Sequence, residues 1–324
     1  MNKSLAVIGA GAWGTALAVQ LAAAGARVTL WARDPARAAA IAQARANPRL
    51  PGIGLPDAVI VTADMTQALA DAAAVLLAVP LQHLREIAAR LPPGSGPLVV
   101  CAKGVETGTL MLPLEIIAES HPGVPAAVLS GPNFAAEIAA GLPAATVLAA
   151  PDAALRSKLL NLLATPRLRL YGNADVVGVQ VGGAAKNVIA IAAGIVIGAG
   201  FGENARAALV TRGLAELARL AVALGGRTET VMGLSGLGDL LLTCTGERSR
   251  NFSLGVALGR GATLAQVLAA RVAVTEGVTT APALLARAGI IEMPVCAAAA
   301  DVLDGTLSPH QAMEALLARR LRDE

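Results

Sequence analysis

Aromatic residues are scarce in this 324-residue sequence, of which they make up 2%. Proteins that bind nucleic acid typically combine a cluster of basic residues with aromatic side chains that stack on bases. The sequence has no such basic cluster, and its formal net charge of +3 is small. We therefore expect no nucleic-acid partner, and the slight positive charge suits a small anionic ligand.

Cysteine and histidine are also rare, with three residues of each type. Cys101, Cys244 and Cys296 lack the spacing of a metal site, and an odd number leaves at least one thiol unpaired. The histidines have no neighbours in the sequence that would indicate a catalytic triad or a metal site. The composition thus predicts reduced thiols, a cytoplasmic protein and no bound metal.

Long uninterrupted hydrophobic runs are missing, although 55% of the residues are hydrophobic. Much of that fraction is alanine, and the longest run, residues 188–201, is shorter than the roughly 20 residues that span a membrane. The apolar N-terminal run is broken by glycines and lacks a cleavage site, so it is not typical of a signal peptide. We expect no membrane insertion, a buried core helix at 188–201 and a first β-strand at the N-terminus.

The predicted first strand, residues 4–8, is followed by Gly-Ala-Gly-Ala-Trp-Gly and by a helical stretch at 15–24. A strand, this GxGxxG spacing, a helix and a second strand within about 30 residues indicate dinucleotide binding. Gly9 permits a tight turn, Gly11 lets a pyrophosphate approach the backbone, and Gly14 lets the helix pack on the strand. The predicted cofactor contacts in this turn are Gly9, Gly11, Ala12, Trp13 and Gly14.

Two charged residues, Arg33 and Asp34, follow the predicted second strand at 27–31. An arginine in this place accommodates the 2′-phosphate of NADP, whereas an acidic residue binds the ribose hydroxyls of NAD. Asp34 precedes Pro35, which is the pattern of a helix N-cap with proline at the first helical position. Arg33 is then the better candidate for a cofactor contact, and the sequence favours NADP(H), with NAD(H) as the alternative.

Short apolar runs alternate with helical stretches as far as about residue 175, and helical patterns follow. The alternation predicts a mainly parallel sheet with helices on both faces. We therefore predict an α/β Rossmann-type dinucleotide-binding domain at 1–178, followed by an all-α substrate and catalytic domain at 179–324. Ligands of such sheets bind beyond the carboxyl ends of the strands. Lys103 and the segment 130–134 lie at two predicted strand ends, where a surface lysine and helix-capping residues are the alternatives.

The helical half contains a lysine, Lys186, inside an almost wholly apolar stretch at 180–200. Such a lysine either lies at a helix edge with its amine in solvent, or is buried and works as an acid or base. The stretch alone favours neither interpretation. Gly182 and Gly183, one helical turn earlier, would let a cofactor or substrate come close.

Two further polar groups lie in the helical half. Asp239 and Thr243 are four residues apart and would share a helical face, although Asp239 also suits a helix cap. The segment 249–251, Ser-Arg-Asn, precedes another helix. It suits either a phosphate site or an ordinary cap beside a solvated arginine.

Seven motifs occur in order along the chain: GAGAWGTALA, CAKG, SGPNFAAEIAAGLPAA, GGAAKNVIAIAAGI, TRGLAE, GLGDLLLTCT and RSRN. Together they closely resemble the bacterial NAD(P)-dependent glycerol-3-phosphate dehydrogenases, from the first strand to the C-terminal helices. The later motifs are far more specific than GxGxxG, which many families share. The resemblance implies interconversion of dihydroxyacetone phosphate and sn-glycerol 3-phosphate, chiefly toward the latter for phospholipid synthesis.

The resemblance also implies roles for individual residues. Lys186 would be the catalytic acid/base, and Asp239 and Lys103 complete the implied catalytic set. Beyond the glycine-rich turn, the cofactor contacts would be Arg33, Lys103, Ala135, Arg250, Val274 and Glu276. The substrate contacts would be Lys103, Gly131, Asn133, Lys186, Asn187, Asp239, Thr243, Ser249, Arg250 and Asn251. The family usually has Thr or Ser where this chain has Asn133, a departure from the family pattern, although an asparagine amide can also donate and accept hydrogen bonds.

Two other functions stay open on the sequence. Another β-hydroxyacid-type dehydrogenase, such as a relative of 6-phosphogluconate or hydroxyisobutyrate dehydrogenases, would also join a Rossmann domain to a helical domain and use a lysine. A non-catalytic NAD(P)-binding redox sensor would need neither a lysine in an apolar helix nor a phosphate cluster. The apolar helices of the second domain are compatible with a homodimer and with a monomer.

Overall fold

The computed structural model describes residues 4–246, 248–270 and 275–319. The chain divides into two compact units. The first contains the chain up to Lys103 together with Leu112–Val176, and the second contains Gly104–Met111 together with the chain from Val177 onward. The short segment Gly104–Met111 therefore belongs to the helical unit, and Val105 within it is fully buried.

The first unit is built on an eight-stranded sheet in the order β3-β2-β1-β4-β5-β6-β7-β8. Its strands are β1 (Ser4–Ile8), β2 (Arg27–Trp31), β3 (Val59–Thr62), β4 (Val75–Leu77), β5 (Leu98–Val100), β6 (Ala126–Ser130), β7 (Ala144–Ala149) and β8 (Leu168–Asn173). Neighbouring strands are parallel, except for β6 and β7. The predicted Rossmann-type, mainly parallel sheet is confirmed.

Helices connect these strands. They are α1 (Ala12–Ala23), α2 (Pro35–Ala44), α3 (Met65–Leu69), α4 (Leu84–Ala88), α5 (Pro113–Ser120), α6 (Ala135–Ala139) and α7 (Ala153–Leu163), and a 3₁₀ turn at Leu81–His83 precedes α4. The antiparallel pairing of β6 with β7 was not predicted. The link between these strands contains only the five-residue helix α6, which is shorter than the helices that usually carry a parallel crossover.

The central strands form the core of this unit. Strands β4 and β5 read Val-Leu-Leu and Leu-Val-Val, and every residue in them is buried. Continuous apolar runs are typical of parallel strands that helices cover on both faces. Lys103 follows β5, and the segment after Ser130 follows β6, so the first polar residues come where these strands end.

The second unit is helical. Its helices are α8 (Val176–Gly198), α9 (Gly202–Ala223), α10 (Thr228–Val231), α11 (Asp239–Cys244), α12 (Arg250–Gly259), α13 (Leu264–Ala269), α14 (Glu276–Ala288), α15 (Pro294–Asp304) and α16 (Pro309–Leu317). A π-helical turn, Leu234–Gly238, leads into α11, and Gly238 N–H donates to Gly233 O at 3.1 Å. Within the described part of this unit there is no strand, which confirms the all-α prediction.

Helix α8 is the central element of the second unit. It is long and apolar enough to cross a membrane, yet 89% of its most apolar window is buried inside the protein. Such burial is what a core helix shows, and it agrees with the core helix predicted for this stretch. Lys186 and Asn187 are among its buried residues.

Candidate active site

The glycine-rich turn between β1 and α1 has the geometry that its sequence predicts. Gly9 has a φ of +118°, and a Cβ atom there would lie 2.5 Å from Ala78 O. A Cβ atom at Gly14 would lie 2.0 Å from Gly9 O, so only glycine lets α1 pack this closely on the turn. At Gly11 nothing lies within 4 Å of the Cβ position. The backbone at Gly11 is therefore open to a ligand.

The start of α1 is open in a second respect. Gly11 is its N-cap, and no side chain caps the first turn. The unpaired N–H groups of a helix start attract phosphate groups. The neighbouring Trp13 side chain lies near the Cys101 thiol, where it acts to lower the pKa of that thiol against the larger effect of burial.

Two residues that sequence motifs did not mark hold the glycine-rich turn from its other side. Asn47 is 1% exposed, and its Nδ2 donates to Ala10 O at 3.1 Å and to Thr15 Oγ1 at 2.7 Å. The Arg37 guanidinium also donates to Ala10 O. Burial and the nearby positive charge of Arg49 lower the pKa of Arg37. Arg37 is 27 positions from Ala10 in the sequence, and Asn47 is 37 positions from it. No local sequence pattern indicates contacts over such separations.

The two charged residues after β2 have different environments. Asp34 Oδ1 accepts hydrogen bonds from Ala36 N at 3.0 Å and Arg37 N at 3.5 Å, so it caps α2. The capping interpretation of Asp34 is confirmed. Arg33 is exposed, and its guanidinium is accessible to an anionic group.

The strand ends hold a cluster that we call the strand-end cluster: Lys103, Ser130, Gly131, Asn133 and Thr146. Lys103 Nζ and Asn133 Nδ2 each donate to Gly131 O at 3.2 Å. Asn133 Nδ2 also donates to Thr146 Oγ1 at 2.9 Å, and Thr146 Oγ1 donates to Ser130 O at 2.9 Å. The structure thus brings three predicted residues together, and Ala135 begins α6 directly after them.

Thr146 is the member of the strand-end cluster that the sequence did not reveal. It lies in β7, the antiparallel neighbour of β6, and it is fully buried. Ser130 Oγ and Asn133 Oδ1 are buried in this cluster without a hydrogen-bond partner. Buried polar atoms are rarely left without a partner, so these two oxygens are available to accept hydrogen bonds from a ligand.

Within the second unit, Lys186 and Asp239 form a buried ion pair. Lys186 Nζ lies 2.5 Å from Asp239 Oδ1, and the two side chains are 11% and 1% exposed. Lys186 Nζ also donates to Thr243 Oγ1 at 3.3 Å, while Thr243 Oγ1 donates to Asp239 O at 2.6 Å. The N-cap of α11 is Gly238, and Asp239 is the first helical residue, whose carboxylate accepts from Lys186. A carboxylate this close favours the ammonium form of Lys186 over the neutral amine.

The predicted phosphate-binding segment lies at the start of α12. Ser249 Oγ accepts from Phe252 N at 3.2 Å and caps the helix, while Arg250 is exposed. Asn251 Nδ2 donates to Asn187 Oδ1 at 2.8 Å, and Asn251 Oδ1 accepts from Gly277 N at 3.1 Å. Asn251 thereby ties α12 to α8 and α14.

One of the two remaining predicted cofactor residues, Glu276, lies at the start of α14 and is its first residue. Val274, the other predicted contact here, lies outside the described residues.

The three cysteines are free and buried. Burial raises the pKa of Cys101 and Cys244 to about 12, and it also raises the pKa of Cys296 well above its usual value. Because the thiolate is the reactive form, we expect the native protein at pH 8 to react with a disulfide reagent far more slowly than free cysteine does.

A spectrophotometric thiol titration checks this expectation. All three thiols should react at once in guanidinium chloride, which serves as the control for reagent and protein concentration. Rapid reaction of even one thiol in the native protein would contradict the described burial.

Comparison with known proteins identifies the family. The family model of the "NAD-dependent glycerol-3-phosphate dehydrogenase N-terminus" matches residues 4–156, and that of the C-terminus matches residues 175–314. The chain belongs to the NAD-dependent glycerol-3-phosphate dehydrogenase family. This confirms the resemblance that the sequence motifs indicate.

Relatives of this glycerol-3-phosphate dehydrogenase family match along nearly the whole chain. The NAD(P)+ glycerol-3-phosphate dehydrogenase of Acidiphilium cryptum (strain JF-5) is 59% identical over 335 residues, covering 100% of this chain and 99% of that one. The one from Bradyrhizobium sp. (strain ORS 278) is 54% identical over 326 residues, covering 99% and 98%. The crystal structure of the Coxiella burnetii enzyme superposes with a TM-score of 0.94 at 38% identity, covering 98% and 99%.

Membership in the glycerol-3-phosphate dehydrogenase family makes this chain an NAD(P)-dependent oxidoreductase. The predicted enzyme class, fold and cofactor type are confirmed. The roles of single residues stay predictions, which the geometry of the two units now supports or limits.

Proposed function

We propose that the protein interconverts dihydroxyacetone phosphate and sn-glycerol 3-phosphate, with Lys186 as the general acid in ketone reduction and the general base in the reverse reaction. The observation that carries this proposal is the buried Lys186–Asp239 pair, with 2.5 Å between Nζ and Oδ1. A lysine is almost never buried unless a partner or a function requires it. Here the carboxylate keeps the amine charged, and a charged amine has a proton to give.

The glycine-rich turn fits a nicotinamide dinucleotide, because the start of α1 has no side-chain cap and the space beyond Gly11 is open. When bound, the reduced cofactor supplies the hydride that a ketone carbon accepts. The strand-end cluster offers Lys103 as a cation, together with the unpartnered Ser130 and Asn133 oxygens as acceptors. We assign these groups to holding cofactor and substrate. Asn133 can fill the place of the family's Thr or Ser because its amide both donates and accepts.

Lys186 has two tasks in the proposed reduction. Its positive charge stabilises the negative charge that develops on the carbonyl oxygen, and Nζ then gives that oxygen a proton. Asp239 and Thr243 hold Nζ in place and keep it protonated. In the oxidation of the alcohol, the same nitrogen takes the proton back.

The phosphate of the substrate requires cationic and amide donors. Arg250 is exposed at the start of α12 and forms charge-assisted hydrogen bonds well suited to phosphate oxygens. Ser249 and Asn251 lie at the same helix start, and Asn187 on α8 accepts a hydrogen bond from Asn251. An amide NH₂ has two donors, and the described Asn251 contact to Asn187 uses one. Binding energy from this remote group is what positions the carbonyl for reaction.

The division of labour follows the two parts of the chain. We assign dinucleotide binding to residues 1–178 and substrate binding with acid–base chemistry to residues 179–324. The product would supply phospholipid synthesis. Buried free thiols suit a reducing compartment, which supports a cytoplasmic location, and a homodimer is proposed on the apolar helices of the second unit.

The cofactor preference can be tested with the reaction itself. Initial rates with dihydroxyacetone phosphate should be measured with NADPH and NADH in parallel, and we expect NADPH to be preferred. Arg33→Ala should lower kcat/KM for NADPH by about 10–100-fold, the worth of a charged hydrogen bond, and leave the value for NADH nearly unchanged. Arg27→Ala is the matched control, since Arg27 is an exposed arginine at the start of β2, whereas Arg33 follows the end of that strand.

The results separate the alternatives. Equal losses with both cofactors in Arg33→Ala would contradict a role for Arg33 in choosing the cofactor. Oxidation of 6-phosphogluconate and not of glycerol 3-phosphate would favour the other dehydrogenase class. Cofactor binding without reduction of any phosphorylated ketone would favour a redox sensor.

A further inference from the structure

Gly182 and Lys186 are one helical turn apart on α8, so both face the same side of that helix. A Cβ atom at Gly182 would lie 2.6 Å from Ser235 O and 3.1 Å from Gly236 Cα, closer to the oxygen than real side chains approach. The backbone of the π-helical turn Leu234–Gly238 therefore rests directly on α8 at Gly182. The close approach that this glycine permits is to the protein's own backbone.

The π-helical turn is just as close to a second neighbour. A Cβ atom at Gly236 would lie 2.0 Å from Val231 O and 2.7 Å from Val231 C, at the end of α10. Backbone contacts on two sides thus fix where the turn lies. Since backbone atoms have no rotamers with which to relieve a clash, the turn has little freedom to move.

Asp239 follows the π-helical turn directly, as the first residue of α11. The π-helical turn Leu234–Gly238 leads directly into α11, with no residue between them. The turn therefore determines the direction in which Asp239 points. Asp239 points at Lys186, which lies 53 positions away in the sequence.

We propose that Gly182 is a positioning residue: it lets the π-helical turn rest on α8 and so holds Asp239 within hydrogen-bonding distance of Lys186. The proposal deepens the proposed function, since it names what keeps the general acid charged. Another ionisable group near the pair is Cys244, whose thiol is subject to the charges of Lys186, Asp239 and Arg206, and Arg206 is itself paired with Glu203.

Gly182→Ala tests the proposal. The added methyl group must push the turn away from α8, which separates Asp239 from Lys186 and makes the neutral amine more populated. Competitive acetylation at pH 8 with acetic anhydride, followed by peptide mass spectrometry, reads out that neutral amine. Lys158, exposed on α7, is the internal reference. We expect acetylation of Lys186 relative to Lys158 to rise about 10-fold or more, the usual effect of losing a neighbouring opposite charge.

Gly198→Ala is the matched control. A Cβ atom at Gly198 would lie 2.2 Å from Val256 O, so the clash is at least as severe and lies on the same helix, but against α12. Both variants should have a lower Tm. An increase in Lys186 acetylation confined to Gly182→Ala supports the positioning role, whereas equal acetylation in both variants and the wild type overturns it.

Acetylation does not require catalysis, so this test and the proposed function fail separately. If the wild type does not reduce dihydroxyacetone phosphate but Gly182→Ala still raises acetylation, the positioning role stands and the proposed function falls. If both hold, the alkaline limb of the kcat profile should also move to lower pH in Gly182→Ala. Should Gly182→Ala not fold, Leu237→Ala, which loosens the same turn at a half-buried side chain, is judged by the same criterion.

Discussion

Lys186→Ala is expected to lower kcat for the reduction of dihydroxyacetone phosphate by about 10²–10⁴-fold or more, the range of general acid–base catalysis. The variant loses both the proton donor and the charge that stabilises the developing alkoxide. The KM for dihydroxyacetone phosphate should change less than kcat, because the proposed phosphate contacts at α12 stay in place. Stopped-flow or steady-state oxidation of NADPH measures both quantities.

The pH dependence identifies the role of the lysine. Reduction needs the ammonium form of Lys186. The wild-type rate should therefore be highest at low pH and fall as the pH rises and Lys186 loses its proton. Lys186→Ala should have a low rate without that alkaline limb. Lys158→Ala, which removes an exposed lysine from α7, is the control and should match the wild type. Near-normal kcat in Lys186→Ala, with the limb retained, would rule out this assignment.

Removal of the lysine also leaves Asp239 buried without its partner. Breaking a buried ion pair on one side costs about 3–5 kcal/mol in the free energy of unfolding. Rates should therefore be compared at a temperature where circular dichroism shows the variant to be folded. Binding of NADPH, followed by its fluorescence, should be unchanged and separates a chemical loss from a cofactor loss.

The residues alone predicted only the local part of the candidate catalytic cluster, and the pairing with Lys186, which lies 53 positions from Asp239, was implied by the family resemblance. Asp239 and Thr243 are four residues apart on one helix, and their shared face meets Lys186 in the structure. The turn Gly9–Gly14 was equally predictable, since Gly9 and Gly14 answer steric demands from Ala78 and from the backbone of the turn itself. Strands β1 and β2 formed over the predicted residues 4–8 and 27–31.

What the sequence could not predict depends on contacts between distant segments. Thr146 joins the strand-end cluster because β7 runs antiparallel to β6, and strand direction is not encoded in the apolar pattern. Asn47 and Arg37 reach Ala10 from a loop and a helix. The sequence suggested that Gly182 leaves space for a ligand near Lys186. In the structure, the π-helical turn lies against Gly182 instead. A π turn has no sequence pattern, because packing and not local preference stabilises it.

Asp239→Asn is the second large effect that we expect. Asparagine has nearly the same shape as aspartate, so Thr243 and the backbone of α11 should be little disturbed. The charge that favours the ammonium form of Lys186 is lost, and a neutral amine cannot protonate the alkoxide. We expect kcat near pH 8 to fall about 10²-fold, the lower end for a lost acid, and the alkaline limb to move to lower pH.

The direction of the pH shift distinguishes this explanation from a structural one. If Asp239 only supported the fold, Asp239→Asn would lower kcat equally at every pH, and the limb would stay where the wild type has it. If Asp239 keeps Lys186 charged, lowering the pH should restore much of the lost rate, because the Lys186 amine is then protonated even without the carboxylate. Asp57→Asn, at an exposed aspartate of the first unit, should reproduce the wild-type profile. Recovery of Asp239→Asn at low pH, together with no such recovery in Lys186→Ala, would place the two residues in one acid–base unit, since only the first variant still has an amine to protonate.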